Sequence, residues 1–203
     1  MKKTYSTQVN NLSLDAKIVA GFERISEVFR FLLWDKGKSF KLTPIQIQIL
    51  TFLATHPIYI CNVSYLSQEF NITKATISDT VKTLIQRKLI AKKSNPDDQR
   101  SFYLSLTNKG KKLFNEICNY QDILVRICEE FEAKEKSEIL MFLMKLIYKL
   151  VDRGVIKVQR MCFTCRFFSQ ENGNSFCNFL NAELPATELR LDCPDYISIN
   201  TNE

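Results

Sequence analysis

The chain has 203 residues, 45% of them hydrophobic and 25% charged, which is ordinary for a soluble globular protein with one domain and a small appendage. The two lysines near the N-terminus have no apolar run behind them, and no stretch approaches the ~18 consecutive apolar residues of a membrane span. A secretory signal and a spanning helix are thereby excluded, and a cytoplasmic protein without a membrane partner is the expectation. The net charge of +6 is uneven: residues 38–112 hold twelve Lys/Arg against four Asp/Glu, whereas 161–203 hold two against six. Such a basic block attracts a polyanion, most simply DNA phosphates, although charge alone leaves a solvated lysine-rich surface open.

Leu14, Ile18, Phe22, Ile25, Phe29 and Leu33 step by three or four and predict a helix over 13–35, with Ser13 as N-cap. The segment GKSFKL reads as a turn. Thr43 and Pro44 then open a second helix that His56-Pro57 ends. A short helix is expected around Val63–Phe70, a turn at Asn71-Ile72, and a helix from Thr73 to about Lys88 with Ile77, Val81, Leu84 and Ile85 inward. Leu89–Lys93 and Ser101–Leu106 read as two short strands around a turn through Asn95, Pro96, Asp97 and Asp98. A long helix follows from Asn108 to about Glu130, and another over 135–152, both with broad apolar faces; Gly154 marks a break.

Helix, short helix, turn, helix and a two-stranded wing make a winged helix-turn-helix. The fold class expected is therefore mainly α with a small β-wing, a helical dimerisation region and a short irregular cysteine-rich tail. The residues LSQEFNITKATISDTVKTLIQRKLI, then Asp98-Gln99-Arg100 and Leu106-Thr107-Asn108-Lys109-Gly110, resemble the MarR-type family of bacterial regulators. With flanking helices the resemblance covers roughly residues 12–152. It implies a symmetric dimer on double-stranded DNA carrying a near-palindromic operator, one recognition helix per half-site. The boundaries expected are 1–37 for an N-terminal dimerisation helix, 38–112 for the DNA-binding domain, 113–157 for C-terminal dimerisation helices and 158–203 for the tail.

With Ile77, Val81 and Leu84 inward, Ala75, Ser78, Asp79 and Lys82 project outward from the second helix of the motif. Lys74 sits at its start, where the dipole and free N–H groups add to its charge. Thr76 and Ser78 are placed for base edges or phosphates, or Thr76 bonds its own backbone. Lys92 and Lys93 suit phosphate contact or are solvated strand ends. The resemblance sends Arg100 to the minor groove, while pairing with Asp97 or Asp98 would brace the wing. The sequence departs from the family at two positions. Asp79 stands where many relatives place a basic residue, and Lys88 replaces the glycine usual before the first wing strand.

Seven cysteines in a reducing compartment argue against disulfides. Cys61, Cys118 and Cys128 read as small buried hydrophobes. Cys162-x2-Cys165-x11-Cys177-x15-Cys193 is a coordination pattern, and the only histidine, His56, is far upstream, so a local site is all-thiolate. Such sites hold Zn2+ or iron–sulfur clusters. The order Cys-x2-Cys, a lone Cys, then Cys-Pro-Asp-Tyr resembles the ligand layout of high-potential iron–sulfur proteins, which implies a 4Fe-4S cluster. Phe163, Phe167, Phe168, Phe176, Phe179 and Tyr196 are then its shield; with structural zinc they are a miniature core. A thiol switch through Cys162 and Cys165 leaves Cys177 and Cys193 unexplained.

Three functions follow as expectations. The first is a dimeric DNA-binding regulator, not an enzyme, whose cysteine centre modulates operator binding with redox or iron state. The second is a MarR-type repressor with structural zinc and a small-molecule effector between dimer helices and wing domain. The third is an electron-transfer component of a redox enzyme, for which no phosphate loop or catalytic constellation is visible.

Overall fold

The structure is a computed structural model that describes residues 13–94, 101–157, 159–171 and 173–199. Helix α1 spans Leu14–Phe40, and the Ser13 hydroxyl accepts the Ala16 N–H at its start. The expected turn at GKSFKL is not there: the helix runs on through Phe40 and reverses only at Lys41, whose φ is 52°. Gly37 serves a close approach rather than a stop. A Cβ on it would lie 2.3 Å from the Leu42 carbonyl oxygen, so only glycine lets the returning chain pack here.

Helix α2 spans Pro44–Thr55, and Thr43 and Gln46 form a capping box at its start. A 3₁₀ turn at Ile58–Ile60 leads to α3, Val63–Glu69, capped by Asn62. Asn71 takes a left-handed φ of 51°, and α4 follows over Lys74–Gln86 with Thr73 as its cap. The wing is β1, Ile90–Ser94, antiparallel to β2, Phe102–Leu106, with Ile90 opposite Leu106 and Ser94 opposite Phe102. The Leu104 N–H donates to the Cys61 carbonyl at 2.7 Å, which ties the wing to the loop before α3. Ile47, Leu50, Leu66, Ile77, Leu84 and Leu104 are completely buried and form the centre of this head.

The long helix expected from Asn108 to Glu130 is divided. Helix α5 covers Asn108–Ile117, a 3₁₀ turn covers Cys118–Gln121, and α6 covers Asp122–Glu129. Tyr120 in that turn packs on the head core, and the turn contacts α1. The tighter winding redirects the apolar stripe: Ile117 is buried, whereas Ile123, Val125 and Ile127 are exposed. Helix α7 spans Ala133–Asp152. Gly154 ends it at φ +67°, with the Val155 N–H donating to the Leu150 carbonyl. Among the described residues no helix is long and apolar enough to cross a membrane.

The tail, expected to be irregular, contains a small antiparallel sheet in the order β3-β4-β5. Its strands are Phe168–Glu171, Asn174–Cys177 and Ala182–Glu183. Its apolar residues do not close on themselves. Met161, Leu184 and Leu189 gather around Met144 of α7, which is fully buried.

Two positions at the head–wing junction test these packing arguments in opposite senses. Lys88 holds a left-handed φ of 59° after α4, a conformation that strains any residue with a Cβ. Lys88→Gly is expected to stabilise the chain by about 1 kcal/mol in urea unfolding. A Cβ on Gly110 would lie 2.0 Å from the Leu89 carbonyl oxygen, so Gly110→Ala is expected to cost about 1–3 kcal/mol in the same measurement.

Candidate nucleic-acid interface and cysteine centre

Helix α4 divides as its periodicity predicts. Ile77, Val81 and Leu84 are buried, and Lys74, Ala75, Thr76, Asp79 and Lys82 are exposed. Lys74 is the first residue of the helix. The Thr73 hydroxyl accepts the Thr76 N–H at 3.2 Å and lies 2.9 Å from the Thr76 hydroxyl, so Thr76 is held within the cap. Asp79 and Lys82 pair at 3.0 Å, and the carboxylate that breaks the basic pattern is locally balanced. Ser78 is half-buried because it lines a groove of about 740 Å3 between α4 and the wing, with Lys82 and Lys92 at its sides and Val81 and Ile85 at its floor. The Lys92 ammonium stands 3.9 Å over the Phe102 ring, and Lys93 is exposed opposite Tyr103. Arg100, with Asp97 and Asp98, lies outside the described residues.

The four tail cysteines are brought together. Cys162 and Cys165 come from a 3₁₀ turn at Cys162–Thr164 and its cap, Cys177 ends β4, and Cys193 follows Leu189 in the last loop. All four line one small hollow of about 30 Å3, walled by Phe167, Phe179, Leu180 and Leu184 together with Glu188, Arg190 and Asp195. Burial pushes the Cys162 thiol up; the Arg190 N–H, donating to its sulfur at 3.2 Å, acts against this, and the Cys193, Cys165 and Cys177 thiols push it further up. The Arg190 guanidinium also donates to the Cys193 sulfur at 3.7 Å. Among the described residues no three His, Cys, Asp or Glu side chains are gathered so as to hold a single metal ion.

The six aromatics expected around the thiols divide into groups. Phe167 and Phe179 wall the hollow, with ring centres 5.2 Å apart. Phe163 and Phe168 pack together on the cluster around Met144. Phe176 faces a separate polar concavity with Ser169 and Asn174, and the Tyr196 hydroxyl is buried without a partner among the described residues. Sequence reasoning missed Arg190; a cation three residues before a ligand cysteine was the available signal. His56 does not join the thiols, but its Nε2 meets Asp192, the neighbour of Cys193, at 2.6 Å.

Cys61 is buried as expected, and burial pushes its thiol up to about 11. Cys118 and Cys128 are exposed, contrary to the expectation, because the turn after α5 carries them off the core side. A further apolar groove lies between α1 and α7, where Phe22 stacks on Phe142 and Ile25 and Ile139 are more than half exposed.

Residues 40–101 match the model of the MarR family. This segment is similar to the MarR family and has a winged-helix fold. The chain is 33% identical over 81 residues to the HTH-type transcriptional regulator BilQ of Clostridioides difficile (strain CD3), a match covering 39% of this chain and 55% of BilQ, so it spans about half of that relative. It is 25% identical over 146 residues to the HTH-type transcriptional regulator FarR of Neisseria gonorrhoeae, covering 72% of this chain and 96% of FarR. Both relatives are transcriptional regulators rather than enzymes. Among solved structures, a MarR protein from Peptoclostridium difficile DA00132 superposes with a TM-score of 0.61 at 23% identity, covering 73% of this chain and 97% of that one. The S. aureus MepR–DNA complex gives a TM-score of 0.56 at 22% identity, covering 64% and 94%. These two establish the fold.

The contrast among the cysteines is measurable. At about pH 8, near the ordinary thiol value, iodoacetamide is expected to modify exposed Cys118 and to leave Cys61 untouched until the chain unfolds. Peptide mass mapping of the alkylated protein reads both outcomes.

Proposed function

We propose that the chain is a dimeric, sequence-specific DNA-binding transcription regulator whose four-cysteine centre holds a 4Fe-4S cluster and modulates operator binding with redox or iron state. The DNA-binding part rests on a MarR-family segment with its lysines on one side: Lys74 opens α4, and Lys82 and Lys92 flank the groove to the wing. MepR, of similar fold, is described bound to DNA. The dimer is supported by the apolar faces of α1, α6 and α7, which one chain alone leaves in water.

The observation that carries the cluster reading is the convergence of Cys162, Cys165, Cys177 and Cys193 on one hollow, in an order that resembles the ligand layout of high-potential iron–sulfur proteins. A set of four thiolates supplies one sulfur to each iron of such a cluster. The donor set is all-thiolate, the walls combine Phe167, Phe179, Leu180 and Leu184 with Glu188, Arg190 and Asp195, and Arg190 supplies N–H donors to two of the sulfurs. When bound, the cluster supplies a one-electron couple whose potential depends on such hydrogen bonds and on exposure. Phe167 and Phe179 line one side of the hollow, and the packing of Met161 and Leu189 on Met144 fixes the thiols against α7.

Anaerobic purification followed by metal and sulfide analysis and a visible spectrum tests the centre. About four irons and four sulfides per chain with a broad band near ~400 nm are expected; one zinc and no colour overturns the cluster and makes the tail structural. The DNA surface is tested by Lys74→Ala on a duplex selected from a random library. Binding should weaken evenly across sequences, and the slope of log affinity against log salt should fall by about 2, one for each half-site of the dimer. An unchanged slope removes Lys74 from the interface.

A further inference from the structure

The tail touches the rest of the chain at two feet. One is apolar, the packing of Met161, Leu184 and Leu189 on Met144 of α7. The other is ionic and reaches the reading head. The Asp192 carboxylate accepts from His56 Nε2 at 2.6 Å and from Arg160 Nε at 2.8 Å. The Cys193 N–H donates to the Arg160 carbonyl at 2.8 Å, so Arg160 holds both the carboxylate and the backbone of the next residue. His56 and Arg160 side chains are only 13% and 12% exposed. The Asp192 side chain is 48% exposed, but it faces a largely covered imidazole and a largely covered guanidinium, which distinguishes it from a pair of two solvated side chains.

Each of these two side chains continues into the head. His56 caps the C-terminus of α2, and its ring stacks on Phe52 with centres 3.8 Å apart. Phe52 in turn meets Tyr65 of α3 and Phe70 just after it, at 5.8 and 6.1 Å between centres. The Arg160 charge acts on Tyr65 and on half-buried Glu69 of α3. Helix α3 packs on α4, whose outer face carries the candidate DNA contacts. An unbroken series of contacts thus links a cysteine of the centre to the recognition helix through one carboxylate.

We infer that Asp192 is a positioning residue that transmits the state of the cysteine centre to the reading head of the same chain. The tail is a strut between α7 and the α2–α3 corner. With Cys193 held as a ligand, the loop from Arg190 to Cys193 has a fixed geometry and Asp192 is seated between His56 and Arg160. With Cys193 released, that loop relaxes, His56 and Arg160 lose the carboxylate they share, and the corner carrying α3 and α4 shifts against α7. The inference rests on the reading above that the four cysteines form one metal centre.

The test uses the full chain purified anaerobically, as wild type, Asp192→Asn, His56→Gln and the double variant. Affinity for a duplex selected by the metal-loaded wild type is measured before and after chelator stripping. The wild type should change by about tenfold. Both single variants should keep wild-type metal content and dimer mass while that ratio falls to within about twofold, with no further fall in the double variant. A wild-type ratio retained in Asp192→Asn overturns the inference and leaves the proposed function standing. So does a ratio lost only together with the metal, which makes Asp192 a brace. A wild-type ratio of one despite bound metal removes the proposed function itself, and this inference with it. Hydrogen exchange reads the docking independently of DNA. Residues 52–70 should exchange faster in Asp192→Asn while 140–150 are unchanged, and unchanged exchange at 52–70 sinks the ionic foot.

Discussion

Met144 of α7 is fully buried, and what buries it is the tail. That contact governs the arrangement of the C-terminal third. Three short strands and two 3₁₀ turns cannot enclose a core of their own, so Met161, Leu184 and Leu189 complete one with a helix of the main body. The four thiols inherit their position from it. Cys162 follows Met161 directly, and Leu184 belongs both to the apolar cluster and to the wall of the hollow. The centre is therefore part of the helical scaffold, not an independent knuckle on a linker.

Charge is organised along the same division. The head carries the excess of lysine and arginine and the tail the excess of carboxylate. Most of this charge is solvated and contributes a long-range field rather than specific bonds. Asp79 and Lys82, both well exposed, are an instance whose pairing softens an acidic position on a basic face. Asp192 differs because His56 and Arg160 are covered by packing, so the carboxylate meets them where water screens less. Partial burial pushes the Asp192 carboxyl up, and the hydrogen bonds from His56 and Arg160 outweigh it and hold the group below its ordinary value.

The helices outside the head present apolar residues to water on a scale unusual for one chain. Val19, Ile25, Ile123, Val125, Ile139 and Phe142 are all more than two-fifths exposed. The division of the long helix at Cys118–Gln121 contributes to this, because it turns the stripe of α6 away from the head that α5 covers. A surface of that kind is stable when a second apolar face meets it, and two copies of the same chain supply such a face by symmetry.

The amino-acid sequence by itself determined the elements whose cause is local. Ser13, Thr43 and Thr73 cap the helices they were expected to cap, the inward face of α4 follows its period, and the two wing strands lie where the alternation placed them. The spacing of four cysteines announced a shared site. The tertiary structure alone decided what depends on distant partners. Gly37 reads locally as a helix stop, yet the helix runs on to Phe40 and the missing Cβ instead admits the Leu42 carbonyl of the returning chain. Tyr120 sits within an uninterrupted helical pattern, yet its burial on the head goes with a tighter turn. Nothing near His56 in sequence marks it as a partner of Asp192, because attraction between charges is non-selective until packing brings two of them together and removes the water between them. Periodicity and capping act over a few residues and leave a record in the sequence; which covered cation meets which carboxylate is set by the way whole elements pack.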